Sequence, residues 1–345
     1  MQVGLARSAA IQWVALHARA DAAFRGAYFS GSTVGLPDDA ELPPSSDIDI
    51  FVVTAHQDPP AKPGKLRFRG VLLEVSYLPR SEIASLDHVL TAYHLAGNFR
   101  TDTIIDDPTG ELRGLQAHVS RHFAERYWVR RRCLDARHRV ENRLAAIDTS
   151  APYHEQVLSW LFPTGVTCHV LLVAALRNPT VRLRYPAARE VLADYGHLGL
   201  YPELLDLLGC AHLTADRVRH HLRELTTTFD ATVPVAKTPF FFSSDITSAA
   251  RPVVIDGSQR LIDSGDHREA VFWIIATFAR CHTILAADAP QLGEALAPAF
   301  RAAVADLGIS STGDLIHRAR EVTRFLPRLW QTAEDIVNSN PDVTD

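Results

Sequence analysis

Apolar and polar positions switch between helical and strand periods over the first third of this chain and keep a helical period over most of the rest. Near the N-terminus, "LARSAAIQWVALHARA" carries apolar residues at helical spacing and predicts a helix over 5–20. Short apolar runs bounded by turn residues then predict strands at 24–30, 47–54 ("DIDIFVVT"), 66–69 and 71–78 ("VLLEVSYL"). A helix over 80–95, a short strand around 101–106 and the turn "DDPTG" follow. From about Leu112 to Asn338 the period is helical almost throughout, as in "HVLLVAAL" and "AVFWIIATFARCHTIL". The break is "VPVAKTPFFFSSD", too rich in proline and aromatics for a helix. Strands first and helices afterwards predict an α+β fold in two units, a small mixed-sheet domain over 1–115 and an all-helical domain over 116–345. No repeat or low-complexity stretch points to a solenoid.

Strand 47–54 breaks its own rule. Aspartate is a poor strand former, yet Asp47 and Asp49 stand two apart and project from one face, while Ile48, Ile50 and Val52 face the core. Two carboxylates on one face repel unless a positive charge lies between them. Magnesium prefers carboxylate oxygens and keeps open positions for phosphate and water. Glu74, in the next long apolar strand, completes a set of three acids if that strand lies beside 47–54. Such a cluster holds two cations and supports in-line phosphoryl transfer. Gly31 and Ser32, directly after the first strand, form a turn whose backbone N–H groups and hydroxyl suit phosphate oxygens.

Gly31-Ser32, a polar spacer, "SDIDIFVV" and a later acid-bearing strand resemble the signature of the DNA polymerase beta-like nucleotidyltransferase superfamily. The element order over the first third of the chain matches as well, and "TDTIIDDPTGELRGL" looks like the closing strand and turn of its small-molecule members. In architecture the helical remainder is similar to the second domain of aminoglycoside nucleotidyltransferases. The resemblance implies Mg²⁺-dependent transfer of a nucleoside monophosphate from a nucleoside triphosphate, ATP by preference, to a hydroxyl of a small acceptor such as an aminoglycoside or sugar metabolite. Asp47, Asp49 and Glu74 would then be catalytic metal ligands, and Gly31 and Ser32 phosphate contacts. An RNA acceptor, or a nucleotide-binding protein that has lost catalysis, is the alternative.

Composition narrows the partners. With a net charge of −5 the chain gives no general reason to expect a nucleic-acid coat. Arg126, Arg130 and Arg137 near one helical face are the feature that would suit an RNA backbone. Cys133, Cys168, Cys210 and Cys281 are widely spaced, without a CxxC pair, which favours neither zinc nor disulfides and suits the cytoplasm. No apolar run in the sequence has the length of a spanning helix, so a soluble protein is expected. In the helical half, Lys237 beside "TPFFFSSD" is a candidate phosphate contact, and Arg251 and Arg268 are candidates of the same kind. His154 and Glu155 open a helix, and Glu155 is a candidate acceptor-side base. Asp266 and Glu269 read as a capping box.

Overall fold

A computed structural model describes residues 1–43 and 45–345. The fold is α+β, with five strands at the start and helices through the rest. Helix α1 (Val3–Trp13) runs on into a π-helical turn, Val14–Ala18. The strands are β1 (Phe24–Ser30), β2 (Ile48–Thr54), β3 (Gly64–Phe68), β4 (Val71–Pro79) and β5 (Ile104–Asp106). Between β4 and β5 lie α2 (Leu86–Thr91) and α3 (Tyr93–Ala96), where one helix was expected over 80–95. The reason is local: Ala92 adopts an extended ψ of 107°, and Tyr93 N–H donates to the Asp135 carboxylate, 3.1 Å away, instead of to the preceding turn.

Helices α4 (Glu111–His122), α5 (Arg126–Ala145), α6 (Tyr153–Ala174), α7 (Arg184–Asp194), α8 (Tyr201–Leu208) and α9 (Ala215–Thr232) follow. The chain then leaves helical structure through 237–242, as the proline and phenylalanines predict. It ends with α10 (Gly257–Asp263), α11 (His267–Asp288), α12 (Pro290–Ala305) and α13 (Thr312–Ser339).

The sheet order is β3-β4-β2-β1-β5, with β2 and β4 parallel and the other pairs antiparallel. Strand alternation gives each face its own packing. One face sends Ala27, Ile48, Ile50, Val52, Leu73 and Val75 against Val3, Ala6, Ala10 and Trp13 of α1. The other joins Tyr28 and Val53 to a core that continues through Leu112, Trp160 and Phe278 to Val343. That second core is unbroken across the boundary expected near 115. Tight contacts reinforce it: a side chain at Gly26 would lie 2.5 Å from Leu112, and Thr344 N–H donates to Ala124 O at the α4–α5 junction.

Helices α6 and α11 are long and apolar enough, by length and composition alone, to cross a membrane. In the fold 78% of each apolar window is buried against other helices, the pattern of central core helices. All four cysteines are buried and free.

The expected capping box at α11 is not made. Asp266 sits at the N-cap without a side-chain cap bond; it and Glu269 instead take Arg189 at 2.9 and 3.2 Å, and Tyr201 Oη donates to Glu269 at 2.5 Å. The backbone of Asp266, with ψ at 43°, leaves the extended region that a capping carboxylate needs.

Candidate active site

The register of the sheet builds the site. Asp49 on β2 pairs with Glu74 on β4, and Glu74 pairs in turn with Lys65 on β3. On the opposite edge of β2, Asp49 pairs with Ser30, the last residue of β1. Lys65, Glu74, Asp49 and Ser30 therefore form one row across four strands. Asp47 stands one residue before β2 on the same face, and Asp47, Asp49 and Glu74 each offer a carboxylate oxygen within 4.8 Å of the others. The structure thus brings together the three acids that the sequence singled out.

Gly31 follows the row directly. Its φ of +74° is open to glycine at little cost, and a Cβ there would fall 1.8 Å from Asp49 Oδ2. The glycine thus supplies both the turn and the room for Asp49. Asn178, from the loop after α6, donates Nδ2–H to Gly31 O at 2.8 Å and ties the turn to the helical body. Ser32 is exposed, in the single 3₁₀ turn of Gly31–Thr33.

The sequence reading missed the cations. Lys65 Nζ lies 2.9 Å from Asp47 Oδ2, in direct ion-pair contact with Glu74 Oε2, and 3.4 Å from Asp245 Oδ1. Lys62 Nζ holds Glu74 Oε1 at 2.8 Å. Arg280 of α11 donates Nη1–H to Asp245 Oδ2 at 2.8 Å, and its guanidinium lies over Phe162, Phe242 and Trp273. Arg182 stacks over Trp273, and its charge acts on both Asp47 and Asp245. Arg182 Nη1, Arg280 Nε and Ser244 Oγ are buried and have no hydrogen-bond partner among the described residues. The proline-aromatic loop does reach the acids, through Ser244 and Asp245: a Cβ at Gly64 of β3 would lie 2.0 Å from Ser244 Cβ.

These surroundings set the charges. Burial, with Asp47 and Glu74 beside it, pushes the Asp49 carboxyl well above its usual value. Burial would raise Glu74 too, but Lys65 and Lys62 outweigh it and bring it down to about 2. Lys65 is also buried, which disfavours its charge; Asp47, Glu74 and Asp245 more than compensate and raise it.

The other candidates sit elsewhere. Lys237 is exposed; its backbone N–H, rather than its ammonium, bonds Asp288 Oδ2 at 2.6 Å, about two turns of α11 beyond Arg280. Arg251 pairs with Asp230 at 2.8 Å, and Arg268 Nε is buried without a partner among the described residues. Glu155 is exposed at the start of α6, and burial lowers His154 beside it. Arg126, Arg130 and Arg137 are each matched with an acid, Asp345, Glu334 and Glu141.

Three carboxylates at this separation fit a hard divalent cation, and Asp49 fits best, since its carboxylate has no hydrogen-bond or ion-pair partner among the described residues. Comparison of the chain with protein-family models, with curated proteins and with solved structures finds no match.

Proposed function

We propose that the chain is a magnesium-dependent nucleotidyltransferase of the DNA polymerase beta-like kind, moving a nucleoside monophosphate from a nucleoside triphosphate to a hydroxyl of a small acceptor. The observation that carries this reading is the convergence of Asp47, Asp49 and Glu74 beside the Gly31 turn. Asp49 gives it direction: a carboxylate desolvated beside two others is in a state that a bound cation relieves. Magnesium held by these acids would stabilise charge on the reacting phosphoryl oxygens.

The chain's own residues divide the remaining work. The open turn at Gly31–Thr33 lets a phosphate approach the backbone closely. Lys62, Arg182 and Arg280 add positive charge around the acids where a triphosphate tail needs it. Glu74, held near 2 by two lysines, stays ionised beside the metal and is a poor proton acceptor. A cavity of about 370 Å³ lined by Ser45, Asp256, Gln259 and Arg260 gives an acceptor of sugar size a place. Gly257, next to Asp256 in the chain, has its Cβ position 3.8 Å from both Arg182 and Ser45, which brings this part of the helical body close to Arg182. With Arg126, Arg130 and Arg137 of α5 already paired to acids, a small acceptor is favoured over RNA.

The test is to incubate the protein with each labelled triphosphate, Mg²⁺ and a panel of aminoglycosides and sugars, with bulk tRNA in parallel. Pyrophosphate release with label on a small acceptor is the expected result. Label in tRNA would move the acceptor to RNA, and no release with any triphosphate would overturn the reading.

A further inference from the structure

We infer that the site takes a single divalent cation, seated on Asp49 and Asp47, and that Lys65 supplies the second positive charge that a paired-metal centre would draw from another ion. The inference rests on the nucleotidyltransferase reading and replaces the two-cation expectation drawn from the acids alone.

Unpaired carboxylate oxygens decide how many ions the cluster holds. Glu74 has none to spare, because Oε1 is held by Lys62 and Oε2 by Lys65. Asp47 gives Oδ2 to Lys65, which leaves Oδ1. Asp49 has neither oxygen paired among the described residues, although it stands between Glu74 and Ser30 in the row. The open donors therefore lie at the Asp47–Asp49 end of the cluster, and the Glu74 end is already neutralised.

Lys65 is also fixed in its place. It is the second residue of β3, directly across from Glu74, so the backbone register sets its position. Its side chain is only 7% exposed, and Asp245 closes over it from the helical side. Around the cluster, Glu74, Asp47 and Asp245 each have a cation in direct contact, Lys62, Lys65 and Arg280, and Asp49 alone has none among the described residues. A second divalent ion at the Glu74 end would meet the buried ammonium at contact distance, with no free oxygen to compensate the repulsion. One ion on Asp49 meets neither obstacle.

Mn²⁺ alone, titrated into the full-length protein and counted by electron paramagnetic resonance, tests this without any turnover. The wild type is expected to saturate at one ion per chain. Lys65→Met keeps the side-chain length, removes the charge and is expected to take up a second ion, with the broadened spectrum of a coupled pair. Lys65→Arg keeps the charge and stays at one, and Asp49→Asn loses the ion. Two ions in the wild type, or one in a folded Lys65→Met, would overturn the inference and leave nucleotidyl transfer standing. No ion in the wild type would remove both. If Lys65→Met does not fold, the wild-type and Lys65→Arg counts decide.

Discussion

On the sheet side of the site, three charged groups are placed by neighbours in register: Lys65, Glu74 and Asp49 stand side by side on β3, β4 and β2. On the helical side, Arg182, Asp245 and Arg280 come from three separate stretches of chain and are held by aromatic faces and by one another. The strands fix acids that repel each other, and they do so with backbone hydrogen bonds that are indifferent to charge. The helical body contributes mainly cations, whose burial its rings and Asp245 make tolerable. Chemistry is therefore expected to fail through the sheet, and folding through the helices.

The largest effect expected is on the sheet side. Asp49→Asn should reduce turnover by about a thousandfold or more, about 4 kcal/mol of transition-state stabilisation. Because the charge it removes is desolvated and opposed by Asp47 and Glu74, stability at neutral pH should hold or rise. Pyrophosphate release and thermal unfolding measured on one preparation check both, and full activity would refute the ligand assignment.

Asp245→Ala is the counterpart on the helical side. It strips Arg280, 7% exposed, of its carboxylate and removes one partner of Lys65. A loss of about 3 kcal/mol in urea unfolding is expected. An unchanged midpoint would mean that the ring contacts alone hold Arg280.

Acid pH separates two acids of the sheet side by a smaller effect. Glu74, near 2 in the fold against an ordinary 4.5, contributes stability that is complete above about 4.5 and lost as pH falls toward 2. Asp49, raised, has the opposite sign: its contribution is present at low pH and lost as pH rises through its folded value. The unfolding free energy of Glu74→Gln should therefore fall less steeply than that of the wild type between pH 5 and 2. Equal slopes would mean that the lysine contacts do not hold the carboxylate ionised.

The smallest effect belongs to Lys237→Ala. Its side chain is exposed and only its backbone N–H is engaged, so stability should change by no more than about 0.5 kcal/mol and turnover hardly at all. A large drop in affinity for triphosphate would return Lys237 to the site.

Most of the sheet side was legible because strand alternation is a local rule: Asp47 and Asp49 had to share a face, and Gly31 had to end a strand. What alternation leaves open is which strands are neighbours, so the parallel pairing that sets Glu74 beside Asp49 was only an expectation. Lys65 lay in plain view within "GKLRF", but a lysine in an edge strand reads as a solvated charge until its register with Glu74 is known. The proline-aromatic loop was singled out for its composition, yet the residues that reach the acids are Ser244 and Asp245, not Lys237. Arg182 and Arg280 gave no signal in the sequence. Their roles depend on contacts across 35 residues or more of chain, as in the Arg280–Asp245 pair, and no periodicity encodes those.

Anomalous diffraction from crystals grown with Mn²⁺ tests the central claim most directly. The account predicts a peak at about 2.1 Å from carboxylate oxygens of Asp49 and Asp47, with Lys65 still on Glu74. A cation bound away from Asp49, or crystals saturated with Mn²⁺ whose acid face binds none, would contradict it.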